Sequence, residues 1–109
     1  MTKPVISEKA ITKAVIDHWR AFGVPGTLVA AIPNMGAMGQ YGLTKGLPDL
    51  LVIGPMGAGF LELKIETGKR TGAQVEFADL CWKHGVNYWC CYGRDDPIAK
   101  LKEWGVIKA

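Results

Sequence analysis

Asp49, Glu62 and Lys64 are the residues whose types and spacing could do chemistry together. Glu62 and Lys64 interrupt the apolar run Phe60-Leu61-Glu62-Leu63-Lys64, and Asp49 lies inside a second apolar run, Leu47 to Ile53. Two carboxylates brought close together repel unless a cation or a proton sits between them. Their hard oxygens suit a divalent cation such as Mg²⁺, which takes oxygen ligands at about 2.1 Å. A lysine beside such a site can orient a water molecule or stabilise growing negative charge. Glu8 and Gln74 sit at the ends of helical stripes that could point at the same spot.

Whether the three charges meet depends on the elements that carry them. Ser7 caps a first helix running to about Arg20–Phe22. Ile11, Ala14, Val15, His18, Trp19 and Phe22 recur on it at helical spacing as a buried stripe, which traced backwards reaches Glu8. Gly23 and Pro25-Gly26 end the helix. Thr27–Ile32 reads as a strand, Asn34–Gly46 as a glycine-rich loop, and Leu47–Ile53 and Gly59–Ile65 as two strands joined by a turn in Gly54–Ala58. Thr67–Gly72 is a polar, basic loop. Thr71 caps a second helix through Lys83, with Phe77, Ala78, Cys81 and Trp82 facing inward. Val86–Tyr92 is a strand apolar on both faces, expected to be central, and Asp95-Asp96-Pro97 opens a last helix to about Trp104. The order αβββαβα implies a hairpin followed by a right-handed crossover, hence a mixed four-stranded sheet flanked by helices.

On a strand Glu62 and Lys64 project from one face. With the hairpin turn centred between Met56 and Gly57, Asp49 pairs with Lys64 and Glu62 with Leu51. All three charges then share a face, and the carboxylates are diagonal neighbours about 5–8 Å apart at Cβ. A slip of one residue would separate them. The plain alternative is a surface ion pair of Asp49 with Lys64, against which stands the apolar character of both strands. Gln74 also fits a capping box with Thr71, and Glu8 could simply favour the helix dipole; neither role excludes a place at the site.

Ile32-Pro33-Asn34, Gly46-Leu47-Pro48-Asp49-Leu50, Phe60-Leu61-Glu62-Leu63-Lys64 and the helix-opening Gln74 together resemble the VRR-NUC domain, a virus-type branch of the PD-(D/E)XK nuclease superfamily. The likeness runs over nearly the whole chain. It implies a restriction-endonuclease-like α/β fold, dependence on Mg²⁺ or Mn²⁺, and phosphodiester hydrolysis. It further implies that Glu8, Asp49 and Glu62 ligate metal, that Lys64 is the catalytic lysine, and that Gln74 supports the site. Family members typically carry Gly-Val-Pro-Asp where this chain has Gly-Leu-Pro-Asp, an apolar exchange. Stand-alone viral members are junction-cleaving dimers, so a homodimer acting on branched DNA of the Holliday-junction type is expected, with Tyr41, Tyr88, Trp89 and Trp104 as candidate interface aromatics. The competing expectation is a catalytically inactive nucleic-acid-binding module on the same fold; such copies usually lose a metal ligand or the lysine, and none is lost here.

Bulk properties set outer limits. With 109 residues, the chain fits one domain, residues 1–109. A hydrophobic share of 49% and a charged share of 21% suit a packed domain. The net charge of +3 is a mild basic bias compatible with DNA, and Lys45, Lys69 and Arg70 border the proposed site as candidate DNA contacts, with Lys9 near them. No apolar run is long enough for a membrane helix, and no secretory signal is read at the start, so a cytoplasmic place is expected, that of a host cell if the gene is carried by a phage. Gly54–Gly59 joins two strands and is no dinucleotide fingerprint, and Gly68-Lys69-Arg70 lacks the spacing of a phosphate loop, so no organic cofactor is expected. Cys81 with His84 and Cys90-Cys91 lie on different elements, which favours core thiols over zinc. His18, on the apolar stripe, reads as a core histidine.

Overall fold

A computed structural model of the chain describes residues 6–33 and 45–109. The expected Asn34 and Tyr41 contributions lie outside the described residues. The elements follow the order α1 (Glu8–Phe22), β1 (Leu28–Ala31), β2 (Leu50–Gly54), β3 (Gly57–Lys64), α2 (Gly72–Lys83), β4 (Asn87–Tyr92) and α3 (Asp95–Glu103). The α/β class and αβββαβα order are those read from the sequence. β1, β2 and β3 are antiparallel neighbours, and β4 returns parallel to β3 after the α2 crossover.

One face of the sheet builds the main core. Leu50 and Val52 of β2, Leu61 and Leu63 of β3 and Cys91 of β4 pack there with Ile11 and Val15 of α1, Leu101 of α3, and Val106 and Ile107. The opposite face carries Phe60, Glu62 and Lys64 beside Tyr88, Cys90 and Tyr92, because parallel pairing sets Glu62 next to Cys90 and Lys64 next to Tyr92. α2 lays Ala78 and Cys81 over this face against Tyr88, with Phe60 and Phe77 completing a smaller cluster.

Several expectations change. The fourth strand is an edge strand, not a central one: the order is β1-β2-β3-β4, and its apolar residues on both faces pack against helices, Tyr88 against α2 and Cys91 against α3. Trp82, expected inside, is 65% exposed, and Phe22 is 54% exposed; both sit in the last turn of their helices. Of the candidate interface aromatics, Tyr88 is buried beneath α2 and Trp104 packs against the main core, which leaves Trp89 on the surface. The hairpin turn is Pro55-Met56, since Gly54 pairs with Gly57 and Leu50 with Leu61. Proline fixes φ negative, and Gly57 supplies the positive φ of 93° that completes the reversal. The register is therefore shifted by two in partner number, which preserves the alternation and keeps Glu62 and Lys64 on the expected face.

The segment leading to Asp49 is fixed by close approach. Gly46 adopts φ 84°, and a Cβ there would lie 2.4 Å from the Ala73 backbone at the start of α2. Pro48 is fully buried just beyond. Gly46→Ala should lower stability by about 1–3 kcal/mol for the left-handed backbone alone, and by more for the clash. Urea unfolding measures this; an unchanged midpoint would show that the segment does not dock on α2.

Candidate active site

Asp49 stands at the bend where the β1–β2–β3 ladder stops. Its carbonyl accepts from the Ile32 N–H at 2.8 Å, its N–H donates to the Leu61 carbonyl at 3.1 Å, and its Oδ2 accepts from the Leu63 N–H at 2.7 Å. Those last two bonds bracket Glu62. The carboxylate is thus held beside Glu62 by main-chain groups of β3, in place of the pairing with Lys64 that the expected register required. Nothing in sequence spacing signals this side chain–backbone clamp; the buried proline before Asp49 is the nearest hint that pairing ends there.

Glu62 is 2% exposed. Its Oε1 accepts from Gln74 Nε2 at 2.8 Å, while Oε2 is buried with no hydrogen-bond partner. Burial, and then the neighbouring Asp49 charge, push its pKa from an ordinary 4.5 up to about 8; the Lys64 ammonium works against this and Glu8 adds to it. The buried Oε2 has no donor, and the Lys64 ammonium meets the carboxylate at Oε1 instead. Two hard oxygen donors in that situation fit a divalent cation.

Lys64 is 8% exposed, with Nζ 4.0 Å from Glu62 Oε1 and 3.7 Å from Glu8 Oε1. Glu8 is half-exposed at the head of α1, one residue past its Ser7 cap, whose hydroxyl accepts from the Ala10 N–H. It reaches the site through Lys64; among the described residues no three His, Cys, Asp or Glu side chains gather as a metal-holding group. Gln74 opens α2 with the full capping box of Thr71. So the structure brings Asp49, Glu62, Lys64 and Gln74 together, with Glu8 at the margin.

The candidate DNA contacts lie on chain segments that lead to or from this group. Lys45 precedes Gly46, and Lys69 and Arg70 follow the Gly68 turn after β3; all three are exposed. Arg70 has a second neighbourhood that sequence reading missed. Burial, with the Glu62 charge adding, pushes the Tyr88 hydroxyl up, and the Arg70 guanidinium counteracts it. Arg70 therefore lies near Tyr88 of β4, and no spacing in the sequence signals it.

Comparison with known proteins bears on the family and the fold. One solved structure, described as a VRR_NUC domain, is 30% identical and has a TM-score of 0.63, over 88% of this chain and 94% of its own. A second, described as a VRR_NUC domain protein, is 19% identical with a TM-score of 0.79, over 98% of this chain and 100% of its own, and bears on the fold alone. No family model and no curated protein matches the sequence.

The raised Glu62 pKa fixes a sign. The folded chain holds a proton there that the unfolded chain has released, so stability is fully present below about pH 4.5 and is lost as pH rises towards 8. Urea unfolding of chelator-treated protein should show that decline, several kcal/mol in order of magnitude. Glu62→Gln should flatten it and stabilise the protein at pH 8; an unaltered slope would mean Glu62 ionises freely.

Proposed function

This chain belongs to the VRR-NUC family, and we propose that it is a Mg²⁺- or Mn²⁺-dependent endodeoxyribonuclease, selective for branched DNA of the Holliday-junction type. The observation that carries the reading is the buried Glu62 carboxylate beside Asp49, with an orphaned Glu62 oxygen and Lys64 next to it.

Asp49 and Glu62 would hold the cation, with Glu8 supplying a further oxygen from the solvent side. A divalent cation bound there supplies a Lewis acid for the phosphate and lowers the pKa of water. Lys64, shielded from water, places its ammonium where it can orient the attacking oxygen and offset charge growing on the phosphoryl group. Gln74 steadies Glu62 through its amide. Lys45, Lys69 and Arg70 would bind backbone phosphates, which set position rather than sequence.

The proposed assembly is a homodimer, since symmetric incision of a two-fold substrate needs two sites in fixed relation. The edge strand β4 and adjoining α2 support it with exposed aromatic surface, Trp89, Tyr92 and Trp82. No helix among the described residues is long and apolar enough to cross a membrane.

Purified protein should cut a four-way junction with Mg²⁺ or Mn²⁺ in preference to linear duplex, and run at dimer mass in light scattering. Asp49→Asn, Glu62→Gln and Lys64→Ala should each abolish cutting, the lysine variant while still binding DNA. Wild-type cutting by either carboxylate variant would refute the site. A monomeric mass with equal cutting of duplex and junction would refute the assembly.

Lys69→Ala with Arg70→Ala should weaken DNA binding and reduce its salt slope by about 1–2, one for each phosphate that is no longer neutralised. An unchanged slope in fluorescence anisotropy would remove that loop from the DNA surface.

A further inference from the structure

The capping box at the start of α2 does more than close a helix end. Thr71 Oγ1 accepts from the Gln74 N–H at 3.2 Å, and Gln74 Oε1 accepts from the Thr71 N–H at 2.8 Å. A backbone N–H can only donate, so the oxygen end of the Gln74 amide is committed to Thr71. The nitrogen end must then face the other way, where it donates to Glu62 Oε1 at 2.8 Å. The amide orientation is decided by bonding partners, not left open.

Capping boxes accept glutamate as readily as glutamine. Here a glutamate would set a third carboxylate against the buried Glu62 and offer it no donor. The glutamine therefore answers to the carboxylate, and the threonine answers to the glutamine. With Oε1 tied down, Oε2 is the Glu62 oxygen left without a partner.

Resting on the nuclease reading above, we propose that Thr71 is a positioning residue of the cation site: through the capping box it holds the Gln74 amide nitrogen on Glu62 Oε1 and so determines which Glu62 oxygen is presented to a cation. Without the Thr71 hydroxyl, the Gln74 N–H loses its acceptor and rejoins the orphan donors of a helix start. The first turn loosens, the amide can rotate, and Glu62 is freed to turn away from Asp49.

Thr71→Val removes the hydroxyl at nearly constant shape, and Thr71→Ser keeps it. Mn²⁺ affinity is read by isothermal calorimetry on folded protein without DNA, and the Gln74 side-chain amide by NMR in chelator. Groups that orient metal ligands affect affinity about 10–100-fold, so Thr71→Val should weaken Mn²⁺ binding about tenfold, with Thr71→Ser close to wild type. The Gln74 amide protons should exchange slowly in wild type and Thr71→Ser and fast in Thr71→Val. A role confined to helix capping would lower the melting temperature of Thr71→Val but leave Mn²⁺ affinity and the Gln74 amide unmoved, which would overturn the proposal while the nuclease reading stands. Wild-type protein that binds no Mn²⁺, or binds it equally after Asp49→Asn, would overturn both.

Discussion

Glu62 is held out of water beside Asp49, and the surrounding structure is arranged around that unfavourable contact. Main-chain groups of β3 grip Asp49 on both sides of Glu62. Gln74 grips Glu62 from α2. Two carboxylates so placed repel wherever both are ionised, and these hydrogen bonds oppose their separation. Burial first, and then the Asp49 charge, raise the Glu62 pKa. A cation between the carboxylates would turn repulsion into ligation, and the same hydrogen bonds would then serve as preorganisation.

Each clamp depends on a fold-level choice. The hairpin register puts Glu62 and Lys64 on the face that α2 covers, and the β3–β4 pairing lines that face with Tyr88, Cys90 and Tyr92. The approach of Gly46 to Ala73 ties the Asp49 segment to the same helix that presents Gln74. Elements distant in sequence, α1 with Glu8, the Gly46–Asp49 segment, β3 and α2, therefore meet at one corner of the sheet. The main core, on the other face, is plainly apolar.

Much of this was legible in the sequence because periodicity and turn chemistry report on it directly. The amphipathic first helix, the glycine-bounded hairpin, the Thr71 capping box and the alternation of Glu62 and Lys64 revealed the element order and the shared face. The hairpin register was misplaced because Gly54–Ala58 offers several turn centres, and only the backbone decides that Pro55-Met56 is the tip. The error did no harm to the shared face, since a shift of two keeps strand parity. The edge position of β4 could not be read: an apolar strand covered by helices has the same composition as one flanked by strands. The Asp49 clamp and the nearness of Arg70 to Tyr88 are side-chain geometries that spacing does not encode. Trp82 and Phe22 fit the helical period yet are exposed in the last turns of their helices.

Whether Asp49 and Glu62 share one cation decides the rest. Crystals grown with Mn²⁺ and measured near the manganese absorption edge test this without any assay of cleavage. The expected result is an anomalous-difference peak within bonding distance of both carboxylates, with Gln74 still on Glu62 Oε1. A fully bound Mn²⁺ elsewhere on the protein, or well-ordered Asp49 and Glu62 side chains with no peak between them at saturating Mn²⁺, would contradict it.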